Sequence, residues 1–434
     1  MAVYPTLDTV SKLRSADFSA DGALFDLWAG PVRMAFGGSY EKDGNSNIAV
    51  SYNVAASPVA STSKVSGSRE SYAAFTELAV PLVGKANAIP LVRRLEFQLA
   101  GRYEDRDEAG TSTVPKLGAS WVPVSSLLLR TSYSEGFRAP ALTEYEVANR
   151  ISTGNILIDP KRSPASTSGI SISRGSSIGI KPETSQTEFY GAVFEPPFVK
   201  GLNLQLNYYR TTQQNVIQEL TAQTIINNEA SFPGRITRAA PTAADTAAGQ
   251  PGQITAVDLT FINFGAVRNH SLDFVADYTL PWQQLGRWRV GGSATKTLKS
   301  TRELGPGQPA INDEGDTYGT PAWKMTGSLF WNRGPWQGSV FVNYLSGFNS
   351  NQAGNSLTWT YPIPAVAKTD IRGGYEFKRG VWRGYAKGLR VNLGVSNLFD
   401  KEPPFSDTIF GYNGGLHGFL ALGRSYEFSA NLPF

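Results

Sequence analysis

Period-two alternation of apolar and polar residues, repeated over most of the chain, is the feature that most constrains its fold. Leu389, Val391, Leu393 and Val395 are separated by Arg390, Asn392 and Gly394. Leu202, Leu204, Leu206 and Tyr208 alternate with Asn203, Gln205 and Asn207. Leu272, Phe274, Ala276, Tyr278 and Leu280 alternate with Asp273, Val275, Asp277 and Thr279. Successive side chains of an extended chain point to opposite faces, so each stretch makes a strand with one apolar and one polar side. About fifteen such strands can be read, over roughly 20–29, 31–42, 69–82, 93–106, 113–122, 126–134, 183–195, 201–213, 254–280, 287–300, 317–332, 336–346, 367–379, 388–399 and 422–434. Helical periodicity is nearly absent.

Composition agrees and closes other routes. The 434 residues include 44 Gly, 26 Pro and 12% aromatics, the supply that many strands and turns need. Apolar residues at 41% against 18% charged exclude a disordered chain. The absence of cysteine excludes disulfides and thiolate metal sites. A net charge of +4 without a basic run gives no reason to expect a nucleic-acid partner. No apolar stretch is long enough for a transmembrane helix. The start, Met1-Ala2-Val3-Tyr4-Pro5, lacks the charged and apolar regions of a secretory signal. Set against the rest of the chain, that lack is read as truncation.

Alternation also suits a soluble sheet, but three further features point to a transmembrane β-barrel. Short turns at Gly30-Pro31, Pro123 to Ser125, Pro196 to Lys200, Pro281 to Gly286 and Arg333-Gly334-Pro335 interleave with long connections, roughly 43–68, 135–182, 214–253, 301–316, 347–366 and 400–421. Short periplasmic turns and long extracellular loops are the layout of outer-membrane barrels. Trp28, Trp121, Trp282, Trp288, Trp331, Trp336 and Trp382 cluster at the short turns, as an interfacial girdle would, in preference to the core of a soluble β-protein. Finally, Tyr426, Phe428, Ala430, Leu432 and Phe434 share one face of the last strand. A terminal strand ending on an aromatic, here with Tyr426, Phe428 and Phe434, resembles the signal read by the outer-membrane barrel assembly machinery.

With the short turns on the periplasmic side, the first and last strands both run toward it, an odd count. Bacterial single-chain barrels have even counts, so strands are expected to be missing on the N-terminal side, about seven of a 22-stranded parent.

Several local sequences resemble TonB-dependent outer-membrane receptors. Leu24-Phe25-Asp26-Leu27-Trp28-Ala29-Gly30-Pro31-Val32 looks like their mid-barrel hairpin. Gly136-Phe137-Arg138-Ala139-Pro140, followed by Leu142-Thr143-Glu144, is the most specific match, and Lys181-Pro182-Glu183 opens the next strand as in the family. Asn397-Leu398-Phe399-Asp400 lies on the penultimate strand. The resemblance runs in order from about residue 20 to the end and implies an all-β, antiparallel barrel over 20–434, with 1–19 a loop remnant or partial strand. It implies uptake of a scarce solute (a siderophore, cobalamin or carbohydrate), outer-membrane lipid as surroundings, and TonB as a partner only through a missing plug and TonB box. The matched motifs are architectural, and the chain by itself is expected to be an inactive fragment.

Other motifs have plainer readings. Gly175-Ser176-Ser177-Ile178-Gly179 fits G-x-S-x-G but sits in a Ser-rich loop, without the strand and helix of a nucleophile elbow. His270 and His417, the only histidines, are far apart, so no His-based metal site is expected. Glu104, Asp105, Asp107 and Glu108 lack EF-hand spacing and read as a solvated loop tip. Arg102, Arg130, Asn203, Gln205, Asp273, Asp277, Arg390 and Asn392 suit a channel wall. Trp359, Tyr361, Phe410, Tyr412 and Phe419 are candidate ligand-facing loop aromatics, with an outer-leaflet girdle or loop packing as the favoured reading. No catalytic constellation and no cofactor is expected. The alternatives are a passive porin-like channel and, behind it, a soluble all-β binding module, which no 40–50-residue repeat supports.

Overall fold

The computed structural model describes residues 6–432 except 54–58, 108, 146–149, 164–165, 178, 281, 304–309, 313–320, 355–356, 379–386 and 407–410. Fifteen long strands lie side by side in chain order. They are β1 (Thr6–Leu27), β2 (Gly30–Asn53), β3 (Val59–Val83), β4 (Arg94–Arg106), β5 (Gly110–Val124), β6 (Leu127–Arg138), β7 (Glu183–Phe194) and β8 (Leu202–Gln214). The wall continues with β9 (Ala266–Leu280), β10 (Arg287–Arg302), β11 (Trp323–Arg333), β12 (Trp336–Leu345), β13 (Val366–Phe377), β14 (Leu389–Ser396) and β15 (Ser425–Asn431). Neighbours pair antiparallel throughout, and the two-residue strand Ile311–Asn312 adds to the loop end of β10.

Register makes the alternation a property of the whole sheet. Leu206 on β8 stands opposite Ala192 on β7 and Phe274 on β9, while Asn207 stands opposite Gly191 and Asp273. Leu393 on β14 faces Gly373 and Phe428 in the same way. Apolar rows and polar rows therefore run unbroken from strand to strand.

Among the described residues, the apolar face has no second layer against it. Phe18, Leu393 and Phe428 are 62%, 63% and 68% exposed. A soluble sheet protein buries such residues, whereas a membrane barrel turns them to lipid. The buried apolar clusters lie at the loop end instead, one within the long connections around Ile170, Ile225 and Leu259 and one where Leu420 meets the strand ends Leu345 and Val366. A two-layer core is thereby excluded among the described residues.

Two aromatic belts edge this face. Trp28, Trp121, Trp282 and Trp336 are exposed at the short-turn end, where the Trp288 and Trp331 rings meet at a tilt of 40° with centroids 5.9 Å apart; Trp382 lies outside the described residues. The indole N–H groups of Trp28, Trp121 and Trp331 donate to the carbonyls of Leu82, Leu91 and Leu285 at 2.7, 2.9 and 2.9 Å. The ring keeps its apolar body outward while a turn satisfies its one donor. Farther from the short turns, Tyr40, Tyr72, Tyr103 and Tyr133 share the apolar face by register, and the row continues midway along the wall to Tyr190 and Tyr208. The sequence reading missed this second belt.

The connections differ from expectation in three places. The span 43–68 is not a loop: β2 and β3 run on, paired as far as Asn53 with Val59. Here Gly44-Asn45-Ser46-Asn47 faces Ser68, Gly67, Ser66 and Val65, so neither face carries an apolar row and alternation lapses while the backbone ladder persists. The β4–β5 connection at the long-loop end is only a tight turn after Arg106. The third difference is that the connections 139–182 and 215–265 fold together. Arg150–Ile158 pairs with Ser166–Arg174 and Ile236–Arg238 with Ile254–Asp258, and residues 256–258 run parallel to 171–173 to join the two. The helix Ala222–Asn227, capped by Thr221, closes this loop cap. Ile254–Asp258, expected as part of a wall strand, belongs to it.

Candidate functional site

The polar face of the wall is lined with paired charges. Arg289 reaches Asp277 at 2.8 Å, Arg372 reaches Glu427 at 3.1 Å and Arg390 reaches Glu376 at 3.3 Å. Glu104 lies between Arg102 and Arg106, at 2.9 and 2.5 Å, with its side chain 7% exposed. This corrects the solvated-tip reading for Glu104, which is a buried, neutralised wall residue; Asp105 and Asp107 are exposed, Asp107 accepting from the backbone N–H of Glu70, and Glu108 lies outside the described residues. All of Arg102, Arg130, Asn203, Gln205, Asp273, Asp277, Arg390 and Asn392 fall on this polar face by register. Midway along it, Arg130 donates to Asn207 at 3.2 Å and lies 5.5 Å over the Phe189 ring. Gly191 leaves the room, since a Cβ there would sit 2.6 Å from Asn207 Oδ1.

At the loop end, Gly136-Phe137-Arg138-Ala139-Pro140 closes β6 and turns into the short helix Leu142–Tyr145. Arg138 grips Glu144 through both carboxylate oxygens, at 2.9 and 3.1 Å, and Glu183 at 2.6 Å. Glu183 also accepts from the Ile217 N–H at 2.7 Å and from the Gln213 amide. The Pro140 carbonyl accepts from Arg69 at 2.5 Å. Residues separated in sequence thus form one clasp where the loop cap joins the wall.

The cap has its own charged core. Arg238 binds Asp159, which is fully buried, at 2.6 Å and Glu229 at 2.7 Å. Arg238, with Lys161, holds the Glu229 carboxyl down to about 2. Arg162 does the same for Asp245, also down to about 2.

Asn397-Leu398-Phe399-Asp400 does not lie on a strand, because β14 ends at Ser396. It forms the turn beyond, with Asn397 and Asp400 at φ 55° and 51°. The buried Asn397 amide both accepts from the Lys401 N–H and donates to its carbonyl, at 2.9 Å each. Asp400 accepts from the Arg424 N–H at 2.8 Å. On β15, Tyr426 and Phe428 are exposed on the apolar face; Phe434 lies outside the described residues.

Of the candidate loop aromatics, Trp359 and Tyr361 occupy alternate positions of the hairpin formed by Phe348–Gly354 and Leu357–Ile363, opposite Gln352 and Ser350. Their side chains and all of Phe410 lie outside the described residues. Tyr412 and Phe419 sit in the last long connection, the former half-buried and the latter exposed. Among the described residues no group of His, Asp or Glu is arranged to hold a metal ion. Gly175 to Gly179 follows a cap strand and leads into no described helix.

A family profile described as TonB dependent receptor-like, beta-barrel matches residues 4–398. The chain belongs to the TonB-dependent receptor β-barrel family. No curated protein matches it in sequence. Among solved structures it is similar to a mutant ferric enterobactin receptor, PfeA, from Pseudomonas aeruginosa in complex with enterobactin, with TM-score 0.66 and 15% identity over 98% of this chain and 55% of that one. It is similar to the siderophore receptor PirA from Acinetobacter baumannii, with TM-score 0.64, 15% identity and the same coverages. The ferric citrate transporter FecA, unliganded, gives TM-score 0.55 and 15% identity over 99% of this chain and 55% of that one. The chain therefore spans little more than half the length of these receptors, and identities this low speak for the fold alone.

Proposed function

We propose that this TonB-dependent receptor wall serves uptake of a scarce solute across an outer membrane, and that the solute is a ferric chelate of the siderophore class. The observation that carries the reading is the family match over 4–398, joined to a fold similar to receptors for ferric enterobactin and a transporter of ferric citrate. In this reading lipid covers the exposed apolar rows and the tryptophan belt lies at the periplasmic boundary. The paired-charge face lines the interior, and the loop cap and hairpin aromatics surround the outer mouth. The terminal strand with Tyr426, Phe428 and Phe434 is the segment read by the barrel assembly machinery, and TonB supplies the energy.

Titrating the purified chain in nanodiscs, with tryptophan emission as the readout, tests the solute class. Ferric enterobactin or ferric citrate should quench it saturably. Quenching by cobalamin or a maltodextrin, with ferric chelates inert, would assign another class. A uniform open conductance without saturable binding of any of them would favour a passive pore.

A further inference from the structure

The last long connection is pinned down at one point. Its helical turn Gly414–His417, capped by Asn413, buries the His417 ring completely. The ring lies flat on Phe348, with centroids 5.7 Å apart and planes 8° apart. Phe348 opens the hairpin that carries Trp359 and Tyr361, and pairs with Ile363 at its root. Close by, Leu416 and Leu420 pack on Leu345 and Val366, the ends of β12 and β13. His417 is thus the joint between two extensions from the loop end of the wall.

Neither ring nitrogen has a hydrogen-bond partner among the described residues. Buried polar groups are nearly always paired, so an imidazole here is a poorer filler than phenylalanine or leucine. What it adds is the capacity to take up a proton near neutral pH. A protonated ring would be a buried cation with no partner, which the site cannot hold.

We infer that His417 is an acid-released latch: its neutral ring holds the last connection against the hairpin, and protonation frees both. The ionisable groups on the packed elements do not offset this. They are Asp400, Lys401, Glu402, Tyr412 and Arg424 on the connection itself, Tyr344 on β12, Lys368 and Asp370 on β13, and Tyr361 on the hairpin; Asp407 lies outside the described residues. Asp370 is engaged by Lys368 at 3.4 Å, and Asp400 by the Arg424 N–H. Burial alone acts on His417, lowering its pKa below the ordinary 6.5. The freed ring titrates at that ordinary value. The closed form is therefore favoured fully above about 6.5 and weakens about tenfold per pH unit below it, until the buried ring itself titrates.

Hydrogen exchange of the whole chain in nanodiscs, corrected for intrinsic rates and compared at pH 7.5 and 5.0, tests the latch. Segments 411–424 and 348–363 should open together at the lower pH, by up to about 30-fold, the limit set by a free imidazole at 6.5, while the loop cap around Ile170 stays protected. His417→Phe should keep both segments closed at both pH values, with His417→Leu as the substitute if that variant does not assemble. Equal wild-type protection at the two pH values would overturn the latch, as would acid opening of the substituted chain equal to that of the wild type.

Discussion

Arg138 and Glu183 are 45 residues apart in the chain, yet their side chains meet at 2.6 Å where β6 and β7 leave the wall. The same Glu183 oxygen, Oε1, also accepts from the Ile217 N–H, and Oε2 accepts from the Gln213 amide, so one buried carboxylate ties together two strands and both connections of the loop cap. Arg138→Ala leaves that carboxylate buried without its counter-charge, held only by the Ile217 N–H and the Gln213 amide. The cost of orphaning a buried charge, discounted because Arg138 is partly exposed, is about 2 kcal/mol, or about 30-fold faster exchange. The loss should appear in segments 140–145 and 215–218, and be smaller in Glu183→Gln, which still accepts from Ile217.

Acid should open the cap later than the latch. Glu229 and Asp245 are held down to about 2, below their ordinary 4.5 and 3.8. Groups lowered in this way contribute stability that is full above the ordinary values and is lost as pH falls through the lowered ones. Cap protection should be unchanged at pH 5 and decline between about 4.5 and 2. Exchange around Ile170 and Ile225 measures it.

Gly191 should not tolerate a side chain. A Cβ there meets both Asn207 Oδ1 and the Phe189 ring at 2.6 Å. Gly191→Ala must displace the ring beneath Arg130, at about 1–3 kcal/mol by the usual cost of overpacking. A lower unfolding midpoint in detergent would record it.

How far the sequence could be read follows from where the physics is local. Most wall strands carry their own alternation, because lipid-type and water-type faces impose a period of two residue by residue; the outer half of β1, expected as a loop remnant or partial strand, does not, yet it pairs with β2 from Thr6 onward. The stretch of β2 from Glu41 to Asn47 carries none, since both its faces are polar. The loop cap was invisible for another reason. Ile170 and Ile225 share a core only because two separate connections meet, which no window along the chain can register. Gly136 to Pro140 and Lys181 to Glu183 stood out as motifs, but their reason is the contact between Arg138 and Glu183, again non-local. The sequence pattern puts Asn397 on a strand, whereas its positive φ and its paired bonds to Lys401 make it the end of one.

The two faces should differ sharply in their tolerance of charge. Leu206→Arg puts a cation on the apolar rows, at about 2–4 kcal/mol if near the bilayer midplane. Gln205→Arg, one residue away, points to the polar face and should assemble normally. The yield of membrane-inserted protein compares the two.

The most direct measurement of the central claim uses the chain's lack of cysteine. Single cysteines placed in turn from Leu204 to Tyr208, each spin-labelled in bilayers, report collision with dissolved oxygen or with an aqueous nickel reagent. Positions 204, 206 and 208 should be oxygen-accessible, and 205 and 207 nickel-accessible. Uniform accessibility along the strand, or the opposite phase, would contradict a wall with lipid on its apolar rows and water on its polar ones.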